Sequence, residues 1–322
     1  MKKLLSLLLT ALLALTLGIS AVACGGQGDA INIGILQVAT HSALDDARLG
    51  FKEVLTAWAE EKGKKIVFNE QNANGDPNNE VTIAESMVAK NPSLVLGIAT
   101  SSARALANAT GDIPVLFTAV TAPVQENLIR DNVTGTSDLN PVAEQIALIR
   151  EINPQAKKIG FLYNSSENNS VIQYNLAQTK CEELGGLELI PYTASLSSEI
   201  STVVESIPSD VDAVYVPTDN LMAENIASIC STLHAKGIPV IGGESGVCED
   251  GEAVATLGID YFELGKQTAQ MAIAILSGEK SVKDIEFEYY AKENTFFINE
   301  KNAKEAGLSE ELIDSLKQKF SK

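Results

Sequence analysis

The residues of this chain that could do chemistry lie in short polar loops, each directly after an apolar segment. These loops carry hydroxyl, amide and carboxylate groups, but no nucleophile stands beside an obvious base. The chain has only two histidines, His41 and His234, and no paired cysteine motif, so it offers no ligand set for a transition metal. It also lacks glycine-rich phosphate-binding motifs. The pattern predicts a site that binds a ligand without transforming it, with no catalytic residue, metal or cofactor.

A hydrolase is the enzyme class that comes nearest to a motif match. The sequence GESGV at 243–247 surrounds Ser245, but Val247 stands where a nucleophile elbow needs its final glycine. Serine hydrolysis is therefore disfavoured, and loss of ester turnover in a Ser245→Ala variant is the observation that would support it.

Candidate ligand-binding residues come from both halves of the chain. The first half supplies Gln37, Thr40, His41, Ser101, Ser102 and Thr118, and the second half supplies Asn164, Glu167, Asn168, Thr218, Asp219, Asn220 and Glu244. Neutral donors near the start of a helix can hold a carboxylate, and a carboxylate can accept hydrogen bonds from an ammonium group. Any one of these residues could instead serve a turn or a helix cap. The prediction of a zwitterionic ligand therefore depends on the pattern across several loops.

The elements that must position these loops alternate between strand and helix. In residues 31–51, a β-branched apolar segment is followed by apolar residues at helical spacing. This alternation occurs twice, with a break near 138–141, which predicts an α/β protein of two lobes with parallel sheets and crossover helices. Loops at the carboxyl ends of such strands line a ligand crevice. The expected lobes are 31–138 with 260–279, and 139–259 with 280–322.

Composition narrows the function further. The chain has 322 residues and a net charge of −18, which becomes −20 without Lys2 and Lys3. An acidic surface argues against nucleic acid and against charge-driven binding to anionic lipid. Beyond Cys24, the three remaining cysteines allow at most one disulfide. Cys181 and Cys230 are predicted to be small buried residues, and a pair between Cys230 and Cys248 stays open.

The first residues indicate export. Lys2 and Lys3 precede an unbroken apolar run, so residues 1–23 are predicted to be a signal peptide. A single membrane span is the alternative, but the run is only about the minimum length for one. The sequence AVAC at 21–24 resembles the bacterial lipobox, in which the cysteine is lipidated and becomes the first residue. We expect a lipid-anchored extracytoplasmic protein with residues 24–30 as a tether, or else a secreted one.

Several segments resemble the solute-binding lipoproteins of bacterial ABC transporters, and they span essentially the whole chain after the signal peptide. They are ILQVATHSALDD, TGTSDLNP, IGFLYNSSENNS, VYVPTDN and GIDYFELGKQTAQMAIAIL. The resemblance is closest to the branch associated with tryptophan and other aromatic amino acids. It implies a type I periplasmic-binding-protein fold, in which two Rossmann-like lobes are joined by three crossovers, with a permease and its ATPase as partners.

The resemblance also implies roles for particular residues. It places the ligand carboxylate at Ser101, Ser102 and Thr118, and the amino group at Asp219, with Glu244 as second choice. An aromatic side chain would need stacking or edge contacts. Tyr163 and Tyr261 are candidates, although core packing or a hinge contact explains each equally well.

The predicted function is therefore the solute-binding component of an ABC importer, which captures an amino acid by hinge closure. Branched-chain amino acids and polar metabolites are alternative ligands. A lipid-anchored sensor that feeds a membrane receptor would use the same lobes. A sugar-responsive transcription regulator shares the fold, but the signal peptide and the lack of a helix-turn-helix segment before the lobes argue against it.

Overall fold

The computed structural model describes residues 30–249 and 251–320. The predicted signal peptide (1–23), the predicted lipidation site Cys24 and nearly all of the predicted tether lie outside the described residues. Among the helices of the described part, none combines the length and the hydropathy that spanning a bilayer requires.

The described chain alternates strands and helices almost throughout. The elements are β1 (Ile31–Gln37), α1 (Ser42–Glu61), β2 (Ile66–Asn72), α2 (Pro77–Val88), β3 (Leu94–Ile98), α3 (Thr100–Ala109), β4 (Val115–Thr118), β5 (Val133–Ser137), α4 (Val142–Ile152), β6 (Lys158–Tyr163), α5 (Asn168–Leu184), β7 (Glu188–Thr193), α6 (Ser197–Ser206), β8 (Ala213–Val216), α7 (Asn220–Glu224), α8 (Ile226–Ala235), β9 (Val240–Gly242), α9 (Gly246–Glu249), β10 (Ala255–Gly258), α10 (Tyr261–Leu276), a 3₁₀ helix (Val282–Asp284), β11 (Glu288–Tyr289), β12 (Thr295–Ile298), α11 (Glu300–Glu305) and α12 (Glu310–Phe320).

The strands form two separate six-stranded sheets, one in each lobe. The first has the order β11-β5-β4-β3-β1-β2, and the second has the order β12-β10-β9-β8-β6-β7. All strand pairs are parallel except β10 with β12, which is antiparallel. The predicted fold class, two α/β lobes with parallel sheets of the type I periplasmic-binding-protein kind, is confirmed.

Each sheet is covered on both faces by apolar side chains of its helices, which is why the central strands are continuously apolar. In β3, all five residues are buried. Cys181, Cys230 and Cys248 are free and buried, as predicted for the first two. Burial raises the pKa of the Cys181 thiol to about 11, so this side chain acts as a small apolar residue.

Aspartates fix where several helices begin. Asp76 accepts a hydrogen bond from the backbone N–H of Asn78 at the start of α2, and Pro77 occupies the first helical position, as the sequence predicts. Asp260 caps α10 in the same way, through the N–H of Glu263. These caps set the helix starts next to the loops that follow the strands.

Three segments join the lobes: one between β5 and α4, one between β10 and α10, and one between β11 and β12. By sheet membership the last crossover begins after Tyr289, later than the boundary at 280 expected from the sequence. The difference arises because β11 is an exposed edge strand of two residues, too short to carry an apolar pattern, yet it pairs with β5 of the first sheet.

Candidate functional site

A small cavity lies between the two lobes. Its walls are residues that follow β1, β3, β4 and β5 on one side and β6, β8 and β9 on the other, so the carboxyl ends of both sheets face one space. Its volume is about 10 Å³, roughly what one water molecule needs. The lining residues are His41, Leu44, Ala99, Thr100, Ala119, Thr121, Asp138, Asn169, Thr218, Asn220 and Glu244.

Several polar contacts hold the lobes together around this cavity. The ring Nε2 of His41 lies 3.3 Å from Oδ1 of Asn220. On another part of the cleft, the amide of Asn168 donates to the carboxylate of Glu126. The lobes therefore stand in a closed arrangement.

The most informative atoms in the cleft are two buried acceptors that have no hydrogen-bond partner. They are Oε1 of Glu244, in the second lobe, and Nδ1 of His41, in the first. The two atoms are 3.6 Å apart, too far for a direct hydrogen bond. If Nε2 of His41 donates to Asn220, as their separation suggests, the neutral ring leaves a lone pair on Nδ1. A group that donates two hydrogen bonds would satisfy both atoms.

Burial shifts the pKa values of the titratable side chains in the cleft. It raises the pKa of Glu244 to about 8, helped by the negative charges of Asp138, Asp219 and Glu167. It raises the pKa of Asp138 to about 6, although hydrogen bonds donated by Tyr261 and Thr121 oppose this rise. Burial also lowers the pKa of His41, so this ring is neutral at pH 7 and does not balance the carboxylates. The cleft therefore favours a positively charged group.

Lobe closure in the absence of ligand should depend on pH. In the closed form the pKa of Glu244 is about 8, and we expect opening to expose this carboxyl group to water and to return its pKa toward the ordinary value of 4.5. The closed form then binds more protons between these values, so we expect closure to weaken as pH rises from 6.5 to 8, by up to about tenfold per unit. Below 6.5, His41 opposes this trend, because burial lowers its pKa in the closed form.

The measurement is the radius of gyration of the ligand-free protein by small-angle X-ray scattering at pH 6.5 and 8.5. We expect the larger radius at pH 8.5, and a smaller pH effect over this range in a Glu244→Gln variant. The same radius at both pH values in the unaltered protein would contradict the prediction.

Four of the residues predicted from the sequence line the cavity: His41, Thr218, Asn220 and Glu244. Thr40 lines a neighbouring groove that also touches His41 and Glu244. The other predicted residues make contacts inside one lobe or, for Asn168, across the cleft mouth.

The predicted carboxylate-binding hydroxyls are engaged within the first lobe. Ser101 and Ser102 both donate to the buried Glu80, at 2.8 Å. The hydroxyl of Thr118 lies 3.1 Å from that of Thr136 within the core. The amide of Gln37 donates to Ala39 and Asp45, while its Oε1 is buried without a partner.

In the second lobe, Asn164 and Glu167 organise the loop after β6. The carboxylate of Glu167 accepts from the backbone N–H groups of Asn220 and Leu221 at the start of α7. The side-chain oxygen of Asn164 accepts from the N–H of Ser166. Glu167 thus fixes the backbone that carries Asn220 to the cavity, while Asn164 fixes the turn before α5.

Asp219 is buried and accepts three hydrogen bonds inside its own lobe. The donors are the N–H of Met222, the N–H of Asn164 and the hydroxyl of Ser170, at 2.7–2.9 Å. Burial and Glu167 raise its pKa, and these donors oppose that rise. Its contacts are those of a helix cap that also ties β8 to β6.

Replacing Asp219 by alanine should therefore destabilise the second lobe. The loss of the cap and of two buried acceptor contacts should cost about 2–4 kcal/mol of unfolding free energy. Urea unfolding followed by circular dichroism measures this, with Asp112→Ala, at an exposed position of the first lobe, as the control. A normal stability together with lost ligand binding would instead assign Asp219 to the ligand.

The sequence does not single out Thr100, Thr121, Asp138 and Asn169 as ligand-binding residues, although all four line the cavity. The family resemblance does imply that the loops carrying Thr100, Thr121 and Asn169 face the cleft. Thr100, Thr121 and Asp138 follow β3, β4 and β5 directly or within a few residues, so their position after a strand was the available signal. Ala99 and Ala119 also line the cavity and have φ values of 74° and 56°. A left-handed backbone at alanine is uncommon, and such strain clusters at ligand sites.

The start of α3 offers the cleft a set of backbone donors. Its first N–H groups have no partner within the helix, and Thr100, its first residue, lines the cavity. Such a helix start favours an anion. The arrangement can therefore receive a negative group at α3 and a positive group between His41 and Glu244.

The two tyrosines considered as stacking partners are not among the residues that line the cavity. Tyr163 stacks on Tyr174 within the second lobe, with ring centroids 5.5 Å apart. The hydroxyl of Tyr261 donates to Asp138 at 2.9 Å, next to two of the crossovers. Core packing accounts for the contact of Tyr163, and a hinge contact accounts for that of Tyr261.

Comparison with known proteins gives consistent matches along nearly the whole described chain. Residues 32–318 match the family described as ABC transporter substrate binding protein. The tyrosine-binding protein of Clostridioides difficile strain R20291 is 36% identical over 292 residues, which cover 89% of this chain and 84% of that protein.

Two solved structures, one with a bound ligand and one without, are similar to this chain over most of its length. The ABC domain from Streptococcus pneumonia in complex with L-Trp is 32% identical, with a TM-score of 0.81 over 89% of this chain and 98% of that one. The ligand-free, open structure of a substrate binding protein with adhesive properties from Clostridium difficile is 35% identical, with a TM-score of 0.66 over 87% and 95%. At similar identity, the TM-score is higher with the ligand complex than with the open structure.

Proposed function

The chain belongs to the ABC transporter substrate binding protein family, and from that premise we propose that it captures an aromatic amino acid between its lobes. Relatives at 36% and 32% identity are a tyrosine-binding protein and a complex with L-Trp, which supports this ligand class. The protein holds the solute by closing the lobes and performs no bond chemistry.

The observation that carries the proposal is the pair of unpartnered acceptors, Nδ1 of His41 and Oε1 of Glu244. A buried acceptor without a donor costs free energy, roughly 1–3 kcal/mol, so a donor is expected there. An ammonium group has three N–H donors and a positive charge, and thus matches both atoms and the acidic cleft. We therefore assign the ligand's amino group to Glu244 and His41, in preference to Asp219.

The ligand carboxylate is assigned to the start of α3. Since the hydroxyls of Ser101 and Ser102 already donate to Glu80, the backbone N–H groups of this first turn and the hydroxyl of Thr100 are the donors that remain. Closure of the lobes would bring the two ends of a zwitterion to these two positions from opposite sides.

Family members act outside the cytoplasm, and we extend this to the rest of the system. The protein would present its solute to a membrane permease driven by a cytoplasmic ATPase. A lipid on Cys24, followed by the short tether, would keep the lobes near that permease and raise their effective concentration there. Mass spectrometry of the mature protein from bacterial membranes tests the anchor.

A thermal-shift screen of the mature chain tests the ligand class, because a ligand that binds only the native state raises the melting temperature. L-Tyrosine and L-tryptophan are expected to raise it. N-acetyl-L-tyrosine, which lacks the ammonium group, and tyramine, which lacks the carboxylate, are expected to have little effect. No shift with any of the twenty amino acids would overturn the proposal.

A further inference from the structure

A groove of about 490 Å³ opens beside the closed cavity, and the two share His41 and Glu244 as walls. This volume lies within the usual range of ligand pockets, whereas the cavity itself has room for about one water. A zwitterionic head group held at His41 and Glu244 would therefore have to direct its side chain into the groove. Nδ1 of His41 and Oε1 of Glu244, both buried and unpartnered, belong to the two residues that groove and cavity share.

The groove has an apolar side and an acidic side. Ala223, Ile226 and Val247 of the second lobe are buried and form apolar lining. Besides Glu244, Asp45 and Asp46 of the first lobe and Glu224 of the second lobe bring carboxylates to the same space. Among the described lining residues there is no lysine or arginine. Such walls suit a side chain with an apolar body and a hydrogen-bond donor at its end.

Glu224 has a greater free acceptor capacity than Asp45. Asp45 already accepts from the amide of Gln37 at 3.0 Å and from Arg48 at 3.2 Å. Glu224 accepts a hydrogen bond from the backbone N–H of Thr40, across the cleft, and burial raises the pKa of its carboxyl group. A carboxylate has about four acceptor positions, so Glu224 can accept a further donor from a ligand.

We propose that this groove receives the substrate side chain and that Glu224 selects side chains ending in a donor, such as the phenol of tyrosine or the indole of tryptophan, over phenylalanine. The inference rests on the proposed function, because it assumes that an amino acid head group is held at Glu244. An unpaired acceptor beside a bound phenyl ring disfavours phenylalanine, since sites built to bond a ligand donor reject analogues that lack it.

Isothermal titration calorimetry with tyrosine, tryptophan, phenylalanine and 4-fluorophenylalanine tests this. The fluoro analogue matches tyrosine closely in size but has no donor. We expect tyrosine to bind at least about tenfold more tightly than either donor-free ligand, and Glu224→Ala to bring the ratio to within about threefold. Glu224→Gln, which keeps an acceptor oxygen, should retain part of the preference.

Because Glu224 also contacts Thr40 across the cleft, Glu224→Ala is expected to weaken all ligands, so the ratio between ligands is the diagnostic quantity. The exposed Glu205→Gln serves as control and should leave the ratio unchanged. Equal binding of tyrosine and 4-fluorophenylalanine, or an unchanged ratio in Glu224→Ala, would overturn this inference while leaving amino acid capture intact. Failure of every amino acid to bind would overturn the proposed function as well.

Discussion

Glu244→Gln should weaken the binding of the aromatic amino acid at least about 30-fold while leaving the ligand-free protein as stable as before, or more stable. Removing one partner of a buried, hydrogen-bonded charge pair costs about 2–5 kcal/mol of binding free energy. Without ligand, the same change removes a buried carboxyl group whose pKa is raised to about 8 by burial and by negative neighbours. Replacing that group by a neutral amide removes the free-energy cost of burying a carboxyl group that has no cationic partner.

Calorimetric titration and thermal unfolding of the same variant provide the two readouts. Glu205→Gln, at an exposed position of the second lobe, is the matched control and should change neither. Retained affinity in Glu244→Gln would remove this residue from the ammonium site. A large drop in melting temperature would show that its role is structural.

Gly246→Ala is expected to weaken ligand binding more than tenfold without destabilising the ligand-free protein. Gly246 begins α9 in the second lobe, and an added Cβ would lie 2.4 Å from Oγ of Ser42 and 3.1 Å from the backbone N of Ala43 in the first lobe. These contacts exist only when the lobes close, and interiors resist overpacking. In the open form the added methyl group would have no such neighbours. Replacing glycine by alanine in a helix generally stabilises the folded protein.

A rescue experiment separates this steric effect from other causes. Ser42→Ala removes the hydroxyl that the new methyl group would meet, so the double variant should recover part of the affinity. Gly111→Ala is the control, because nothing lies within 4 Å of a Cβ there. Unchanged affinity in Gly246→Ala would show that ligand binding does not require the close approach of α9 to α1.

The alternation of apolar strands and helices was enough to predict the fold, because each buried strand must be covered on both faces by helices that follow it. The sequence also predicted that strand ends from both halves meet, and His41, Thr218, Asn220 and Glu244 do line one cavity. These inferences depend on local pattern and on the handedness of crossovers, both of which a single chain reveals.

The sequence could not predict which side chains of each loop would line the cavity. Ser101 and Ser102 turn toward Glu80, a helix residue whose burial depends on contacts distant in the chain. Asp219 could have been recognised as a cap, since it is followed by a short helix whose third residue, Met222, donates to it. No sequence signal marks the left-handed backbone of Ala99 and Ala119, because glycine is the residue that usually indicates it.

The three crossovers between lobes mean that neither lobe is encoded by one continuous stretch. The first lobe is complete only when α10 and β11 have been added, and the second only when β12 has been added. All three elements lie near the carboxyl end of the chain. A domain cannot complete its core before its last element emerges, so neither half can fold fully during synthesis. Late folding of this kind is compatible with the extracytoplasmic location of this family, because a protein that crosses a membrane unfolded must complete its fold afterwards.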